Sequence, residues 1–130
     1  MLKRPLSPHL EVYKLKYTLI GSGMHRLTGL GLSAGFVLLV YWLMAVAGGA
    51  RANAHASRLL SLPVAKVLYA LLIIAFSYHL LAGIRHLIWD TGRGLERKPA
   101  ERSAWLLAVA SVVLSLVLGC FAWLASGRTP

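Results

Sequence analysis

His79 lies inside an apolar run, in the segment YHLLAGIRH (78–86). Ionisable side chains at membrane depth are costly and are usually functional. A neutral imidazole is a common ligand of haem iron, and Gly83, four residues later, lies on the same helix face, where a missing side chain lets a flat macrocycle approach the backbone. The alternatives are a histidine that only hydrogen-bonds across helices and a glycine that only allows close packing. The spacing of His79 and Gly83 on one helix face makes His79 a candidate axial ligand of haem iron.

A second histidine, His86, follows seven residues after His79, so the two rings share a face but are separated by about 10.5 Å along a helix axis. Axial imidazoles approach opposite faces of a haem, with each nitrogen about 2 Å from the iron, so these two rings cannot bracket one iron. A second ligand from a partner chain is expected, because the other histidines are predicted to lie at other depths: His9, His25 and His55. His86 and Arg85, at the cytoplasmic end of the run, suit haem propionates or phosphate headgroups.

Ser22 and Arg26 form a second candidate site, just before the first long apolar run. Their four-residue spacing places them on one helix face at the membrane boundary. The carbonyl oxygens of a quinone become negative on reduction, and a hydroxyl and a guanidinium at this boundary would orient the ring and stabilise the charge. The same two residues also suit a helix cap and a topology signal. The spacing leaves both interpretations open.

Three long apolar runs must position these side chains, and each is long enough to cross a membrane as a helix: about 27–50, 64–88 and 103–126. The first carries no charge and would span about 36 Å as a helix. Pro63 suits the start of the second. A polar connector and a charged aqueous loop separate the runs: 51–63 and 90–102. The predicted fold is all-α, one integral membrane domain over residues 1–130, with a cytoplasmic N-terminal segment (1–26) and three transmembrane helices that form part of a heteromeric bundle.

Composition agrees with a membrane protein, since 58% hydrophobic residues and a mean hydropathy of +0.67 are too apolar for a soluble domain of 130 residues. The net charge of +10 sits mostly beside the apolar runs, which favours lipid headgroups over nucleic acid as partners. Lysine and arginine are concentrated before the first run and around the second connector, so the positive-inside rule places the N-terminus in the cytoplasm. With no targeting segment recognisable, a multi-pass protein of a bacterial inner membrane is expected.

Three motifs are the signatures of a resemblance that extends over nearly the whole chain: RPLSPHLEVY (4–13), SGMHRLTG (22–29) and HLLAGIRHLIWD (79–90). Together they resemble the family of succinate dehydrogenase cytochrome b556 subunits, which are small membrane anchors. The resemblance implies that His79 is an axial ligand of one haem b shared with a partner subunit, and that Ser22 and Arg26 contact ubiquinone. It also places His25 beside a haem propionate. The haem propionate region is then expected to include four side chains: His25, Arg26, Arg85 and His86.

The resemblance further implies three partner subunits: a second small membrane anchor that supplies the other haem ligand, an iron–sulfur subunit on the cytoplasmic face, and a flavoprotein that oxidises succinate to fumarate. This chain has one cysteine and no Gly-rich dinucleotide fingerprint, so it is expected to be a subunit of the enzyme that does not itself oxidise succinate. Its expected task is electron delivery to ubiquinone. The alternatives are the anchor of a fumarate reductase, a different b-type cytochrome, and a membrane tether without redox function.

Overall fold

The computed structural model describes residues 17–126, with side chains from residue 19, and that part of the chain is entirely helical or turn. Four helices follow one another: α1 (Tyr17–Ala47), α2 (Ala50–Leu60), α3 (Pro63–Asp90) and α4 (Arg97–Ser126). The first motif of the sequence, RPLSPHLEVY, lies outside the described residues, as do His9 and the basic residues before Tyr17.

Three of these helices are long and apolar enough to cross a membrane: Leu19–Ala47, Pro63–Asp90 and Arg97–Ser126. At 1.5 Å per residue, the 28 residues of α3 extend about 42 Å, which exceeds the hydrocarbon thickness of about 30 Å. The prediction of an all-α protein with three membrane-crossing helices is confirmed. The chain is a multi-pass membrane protein.

Helices α1 and α4 both begin earlier than the apolar runs that predicted them. Helix α1 starts at Tyr17 and includes Ser22, His25 and Arg26, which the sequence placed before the first crossing. Helix α4 starts at Arg97, within the segment expected to be an aqueous loop. The reason is that backbone hydrogen bonding propagates a helix past the end of its apolar run, whereas hydropathy marks only the part that faces hydrocarbon.

The connector between the first two crossings is itself the helix α2, which was not expected. Gly49 precedes it with a φ of 87°, a left-handed conformation that glycine adopts without strain. Ala56 is fully buried, whereas the polar side chains of His55 and Arg58 are exposed. Such a helix suits the plane of the membrane interface, where one face is apolar and the other meets water. Pro63 then opens α3, as its position predicted.

Helix α3 packs against both α1 and α4, and small residues mark where these helices meet. Ser77 and Ala82 of α3 are almost completely buried. A Cβ atom added at Gly35 of α1 would lie 2.5 Å from Leu72 Cδ2 of α3, so the Leu72 side chain packs directly against this glycine. Most large apolar side chains nevertheless point outwards; Leu30 is 71% exposed and Val64 is 78% exposed. An apolar surface of this extent suits contact with lipid or with other apolar helices.

Candidate functional site

Three histidine rings lie together where α1 crosses α3. The ring of His25, from α1, stacks on the ring of His79, with centroids 4.1 Å apart and planes inclined by 7°. The other neighbour of His25 is His86, whose ring centroid is 4.9 Å away at an angle of 34°. All three side chains are half-buried. The cluster combines residues that are far apart in the sequence, and the seven-residue spacing of His79 and His86 places both on the face of α3 that meets His25.

His79 is held by its Nδ1 atom. That nitrogen lies 3.1 Å from the backbone oxygen of His25, and because a carbonyl oxygen can only accept, Nδ1 must carry the proton and donate. In the neutral imidazole the other nitrogen, Nε2, then has a free lone pair. This is the arrangement typical of a metal-binding histidine, in which a hydrogen bond from the second nitrogen fixes the tautomer and the ring orientation.

The backbone of α1 makes room for this ring at Gly29. A Cβ atom added there would lie 3.0 Å from Cε1 of His79 and 3.5 Å from its Nδ1. Thr28, the preceding residue, is 9% exposed, and its hydroxyl oxygen is 3.3 Å from the same Nδ1. Neither Thr28 nor Gly29 was predicted from the sequence to have a role, although Gly29 is one helical turn from His25. That spacing was the available signal, because residues four apart face the same neighbour.

The expectation that no other histidine lies at the depth of His79 is wrong. It rested on the charge of Arg26, which ends the apolar run and seemed to end the crossing as well, whereas α1 continues through this residue as a regular helix. His25 and His79 still cannot share one iron. A metal lies in the plane of the imidazole that binds it, and two stacked, nearly parallel planes about 4 Å apart have no such point in common. The outside ligand therefore stays a prediction, now argued from the ring geometry and not from depth.

Arg85 joins α3 to α4. Its Nε donates to the hydroxyl of Ser103 over 2.9 Å, and one of its terminal nitrogens donates to the backbone oxygen of Ala100 over 2.7 Å. The guanidinium carbon also lies 4.0 Å from the ring centre of Trp89, which is a cation–π contact. His86 is oriented differently, by a hydrogen bond of 2.7 Å from its Nδ1 to the oxygen of Ala82, one turn earlier. Arg85 and His86 are adjacent in the sequence, but Arg85 bonds to α4 whereas His86 bonds to its own helix, α3.

Ser22 and Arg26 lie on α1 beside the histidine cluster, in the turn that also carries His25. Ser22 is half-buried and Arg26 is exposed. Their four-residue spacing within a regular helix puts both on one flank, as the sequence predicted. Within residues 17–126 neither side chain makes a hydrogen bond to another residue. Both residues lie on the flank of α1 next to His25.

The described residues contain no group of three or more His, Cys, Asp or Glu side chains that could hold a bare metal ion. The histidine cluster instead fits a haem, whose macrocycle supplies four of the iron's ligands. Two observations support the fit: Nε2 of His79 has a lone pair to give, and Nδ1 of His25 is buried without a hydrogen-bond partner among the described residues. A buried ring nitrogen without a partner is costly and calls for an acceptor or donor from outside the chain.

Comparison with known proteins identifies the family. Residues 1–118 match the family described as the succinate dehydrogenase/fumarate reductase transmembrane subunit. The chain belongs to this family. It is 43% identical over 114 residues to the succinate dehydrogenase cytochrome b556 subunit of Paracoccus denitrificans, which covers 88% of each chain. Identity to the cytochrome b556 subunit of Rickettsia felis is 34% over 116 residues, or 89% of this chain and 90% of the relative.

The family also includes a mitochondrial relative. The mouse succinate dehydrogenase cytochrome b560 subunit is 37% identical over 116 residues, which are 88% of this chain and 66% of the mouse protein. All three relatives are named as cytochrome b subunits of succinate dehydrogenase. Membership in this family of transmembrane subunits confirms the resemblance inferred from the motifs.

Proposed function

We propose that this chain is the haem b- and quinone-binding membrane anchor of a succinate dehydrogenase, and that it helps to deliver electrons from succinate oxidation to ubiquinone. The observation that carries the proposal is the hydrogen bond from His79 Nδ1 to the backbone oxygen of His25, because it leaves Nε2 as a neutral ligand atom. The names of the relatives support a b-type cytochrome. Haem, bound here, supplies a one-electron carrier.

The haem is shared with a second membrane anchor. His79 would give one nitrogen to the iron and a histidine of the partner would give another, since the stacked ring of His25 cannot bind the same iron and His86 lies two turns along α3 from His79. His25, Arg26 and His86 lie at the end of the crossing where propionates would accept hydrogen bonds. Arg85 contributes its positive charge to this region from the α4 side, because its hydrogen bonds are made to Ser103 and Ala100.

Ubiquinone binds on the flank of α1 that carries Ser22 and Arg26. The hydroxyl donates to one carbonyl oxygen of the ring, and the guanidinium stabilises the negative charge that develops there on reduction. The proximity of His25 to this flank places the quinone close to the haem region. Support comes from the two unpaired donors and from the same helix turn that carries His25.

The remaining partners follow from the same proposal. An iron–sulfur subunit docks at the cytoplasmic end and a flavoprotein oxidises succinate, so this chain is a part of the enzyme without a catalytic residue for that oxidation. By the positive-inside rule, the basic residues around the N-terminus and the second connector support a cytoplasmic side for both, with the helices in a bacterial inner membrane. The anchor of a fumarate reductase is the second candidate, because the matching family includes both enzymes.

His79→Ala tests the haem assignment. The complex should assemble with little haem, because the iron then has one protein ligand left. His55→Ala is the matched control, since that histidine is exposed on α2, outside the cluster. The measurement is haem content per complex together with the reduced-minus-oxidised visible spectrum. An unchanged b-type spectrum in His79→Ala would show that the ligand is elsewhere.

Ser22→Ala and Arg26→Leu test the quinone assignment. Loss of one preorganised donor typically costs on the order of a hundredfold in rate, so electron transfer to ubiquinone should fall while reduction of a soluble artificial acceptor by succinate survives. Arg51→Leu serves as control because Arg51 is an exposed cation of α2. The quantity to measure is the ratio of the two activities at equal complex content. A wild-type ratio in both variants would refute the quinone assignment; Ser22, inside α1, is not a helix cap, and Arg26 would remain only a topology signal.

A further inference from the structure

Thr28 is the buried hydroxyl that faces the candidate ligand. It lies on α1 and is 9% exposed, and its Oγ1 is 3.3 Å from Nδ1 of His79, on α3. The same oxygen is 2.8 Å from the backbone oxygen of Met24 and 3.0 Å from that of His25. One hydroxyl therefore contacts two carbonyl groups of its own helix and one imidazole of another.

The number of protons available shows whether Thr28 or His79 is the donor in this contact. Carbonyl oxygens can only accept, so the single hydroxyl proton of Thr28 is directed at Met24 and His25. The lone pairs of Oγ1 then face Nδ1 of His79, and the contact is a hydrogen bond only if that nitrogen donates. Nδ1 thus has two acceptors, the Thr28 hydroxyl and the His25 carbonyl. Both require the same tautomer, with the proton on Nδ1 and the lone pair on Nε2.

Other hydroxyl groups on these helices show what is particular to Thr28. Ser33, one turn further along α1, donates to the backbone oxygen of Gly29 and is exposed. Ser111 is buried and donates to Leu107 of its own helix. Such bonds satisfy a hydroxyl locally. Ser103 resembles Thr28 more closely, because it donates to Ala100 and accepts from Arg85 of another helix. A hydroxyl that donates to its own helix and accepts from α3 thus forms both links: Ser103 joins α4 to Arg85, and Thr28 joins α1 to His79.

We propose that Thr28 is a positioning residue for His79: its hydroxyl oxygen is a second acceptor for the Nδ1 proton, which fixes the tautomer that leaves Nε2 for the iron and makes that nitrogen a stronger donor. The inference rests on the proposed function, in which His79 binds haem. Hydrogen bonding to the outer nitrogen of a ligating histidine raises its basicity. A more basic ligand stabilises the oxidised iron and lowers the reduction potential.

The test compares Thr28→Val, which keeps the shape and removes the acceptor, with Thr28→Ser, which keeps the acceptor. Ser33→Ala is the matched control, because it removes a hydroxyl of α1 that contacts only its own helix. Each variant is studied in the purified complex by haem content, by the low-spin electron paramagnetic resonance signal of the haem, and by its midpoint potential. We expect Thr28→Val to keep its haem, to show a shifted low-spin signal and a higher midpoint potential, and Thr28→Ser and Ser33→Ala to match the wild type.

A wild-type potential and signal in Thr28→Val would overturn the inference, as would a shift in Thr28→Ser equal to that in Thr28→Val. If Thr28→Val does not assemble, Thr28→Ala gives the same comparison with a smaller side chain. The His79→Ala variant separates this inference from the proposed function. Haem retained without His79 refutes the ligand itself, whereas haem lost without His79 together with an unchanged potential in Thr28→Val refutes only the role of Thr28.

Discussion

Gly29→Ala should weaken haem binding, although alanine is the better helix former and should stabilise α1 itself. The added Cβ would lie 3.0 Å from Cε1 of His79, which is closer than ordinary carbon–carbon contact, so the ring must recede by a few tenths of an ångström. Receding from α1 lengthens the bond from Nδ1 to the His25 oxygen, now 3.1 Å, towards the limit of about 3.5 Å at which such a bond is lost.

The size of the effect follows from two opposing terms. Replacing Gly by Ala in a helix interior is favourable by about 1 kcal/mol, but that gain is the same with and without haem and does not change affinity. Overpacking costs about 1–3 kcal/mol, and it falls mainly on the bound state, because an iron bond at Nε2 restrains the ring in addition to the hydrogen bond at Nδ1. A cost of this size corresponds to roughly 5- to 150-fold weaker haem binding.

The assay measures haem retained by the purified complex against an excess of a haem-scavenging protein, with Gly31→Ala as control. Gly31 is an exposed residue of the same helix, and a Cβ atom added there meets nothing within 4 Å. The control should keep its haem as the wild type does, whereas Gly29→Ala should lose it faster and with a weaker low-spin signal. Equal retention in the two variants would mean that the His79 ring does not rest on α1, and the site geometry would need revision.

Three further substitutions probe the surroundings of the cluster. His86→Ala should retain haem, with at most a shifted midpoint potential in redox titration, and loss of the haem would identify His86 as the ligand. Arg85→Leu removes two charge-assisted hydrogen bonds to α4, each worth about 1.5–3 kcal/mol. The thermal stability of the complex should therefore fall while its haem content is kept. An unchanged melting temperature would contradict this expectation. Gly35→Leu should separate α1 from α3 because even a Cβ atom meets Leu72, and the yield of assembled complex should drop; a normal yield would argue against close packing there.

The number of crossings could be predicted because hydropathy is summed over whole helices. Each span needs about 20 apolar residues, and misjudging one or two residues does not change the count. The start of α3 could also be predicted, since Pro63 lacks the amide proton that the first helical turn does not use. The helical connector α2 was missed because its 11 residues are too few and too polar to cross a membrane, although the separation of its apolar and polar faces was a signal that helical periodicity offered.

The candidate ligand could be found from the sequence, whereas its neighbours could not. His79 is recognisable because a histidine within an apolar run is costly wherever the run is placed. The contact between His25 and His79 depends on the position of α1 along α3 and on the rotation of α1 about its own axis. Neither quantity can be read from a single sequence. Those two quantities are set by close contacts at residues without side chains, such as Gly29 against His79 and Gly35 against Leu72.

Helix α1 therefore serves the site with its backbone as much as with its side chains. The His25 carbonyl and the Thr28 hydroxyl hold Nδ1 of His79, and Gly29 supplies the space in which the ring lies. A substitution at Thr28 or Gly29 of α1 thus alters the surroundings of His79 on α3 without replacing it, whereas Ser22 and Arg26 lie on the same helix at the proposed quinone site. Because one rigid helix bears both sets of residues, a shift of α1 along α3 would change the hydrogen bonds of the haem ligand and the placement of the quinone donors together. Variants that move this helix, such as Gly35→Leu, should therefore affect haem potential and quinone reduction jointly, whereas Thr28→Val should affect the potential alone.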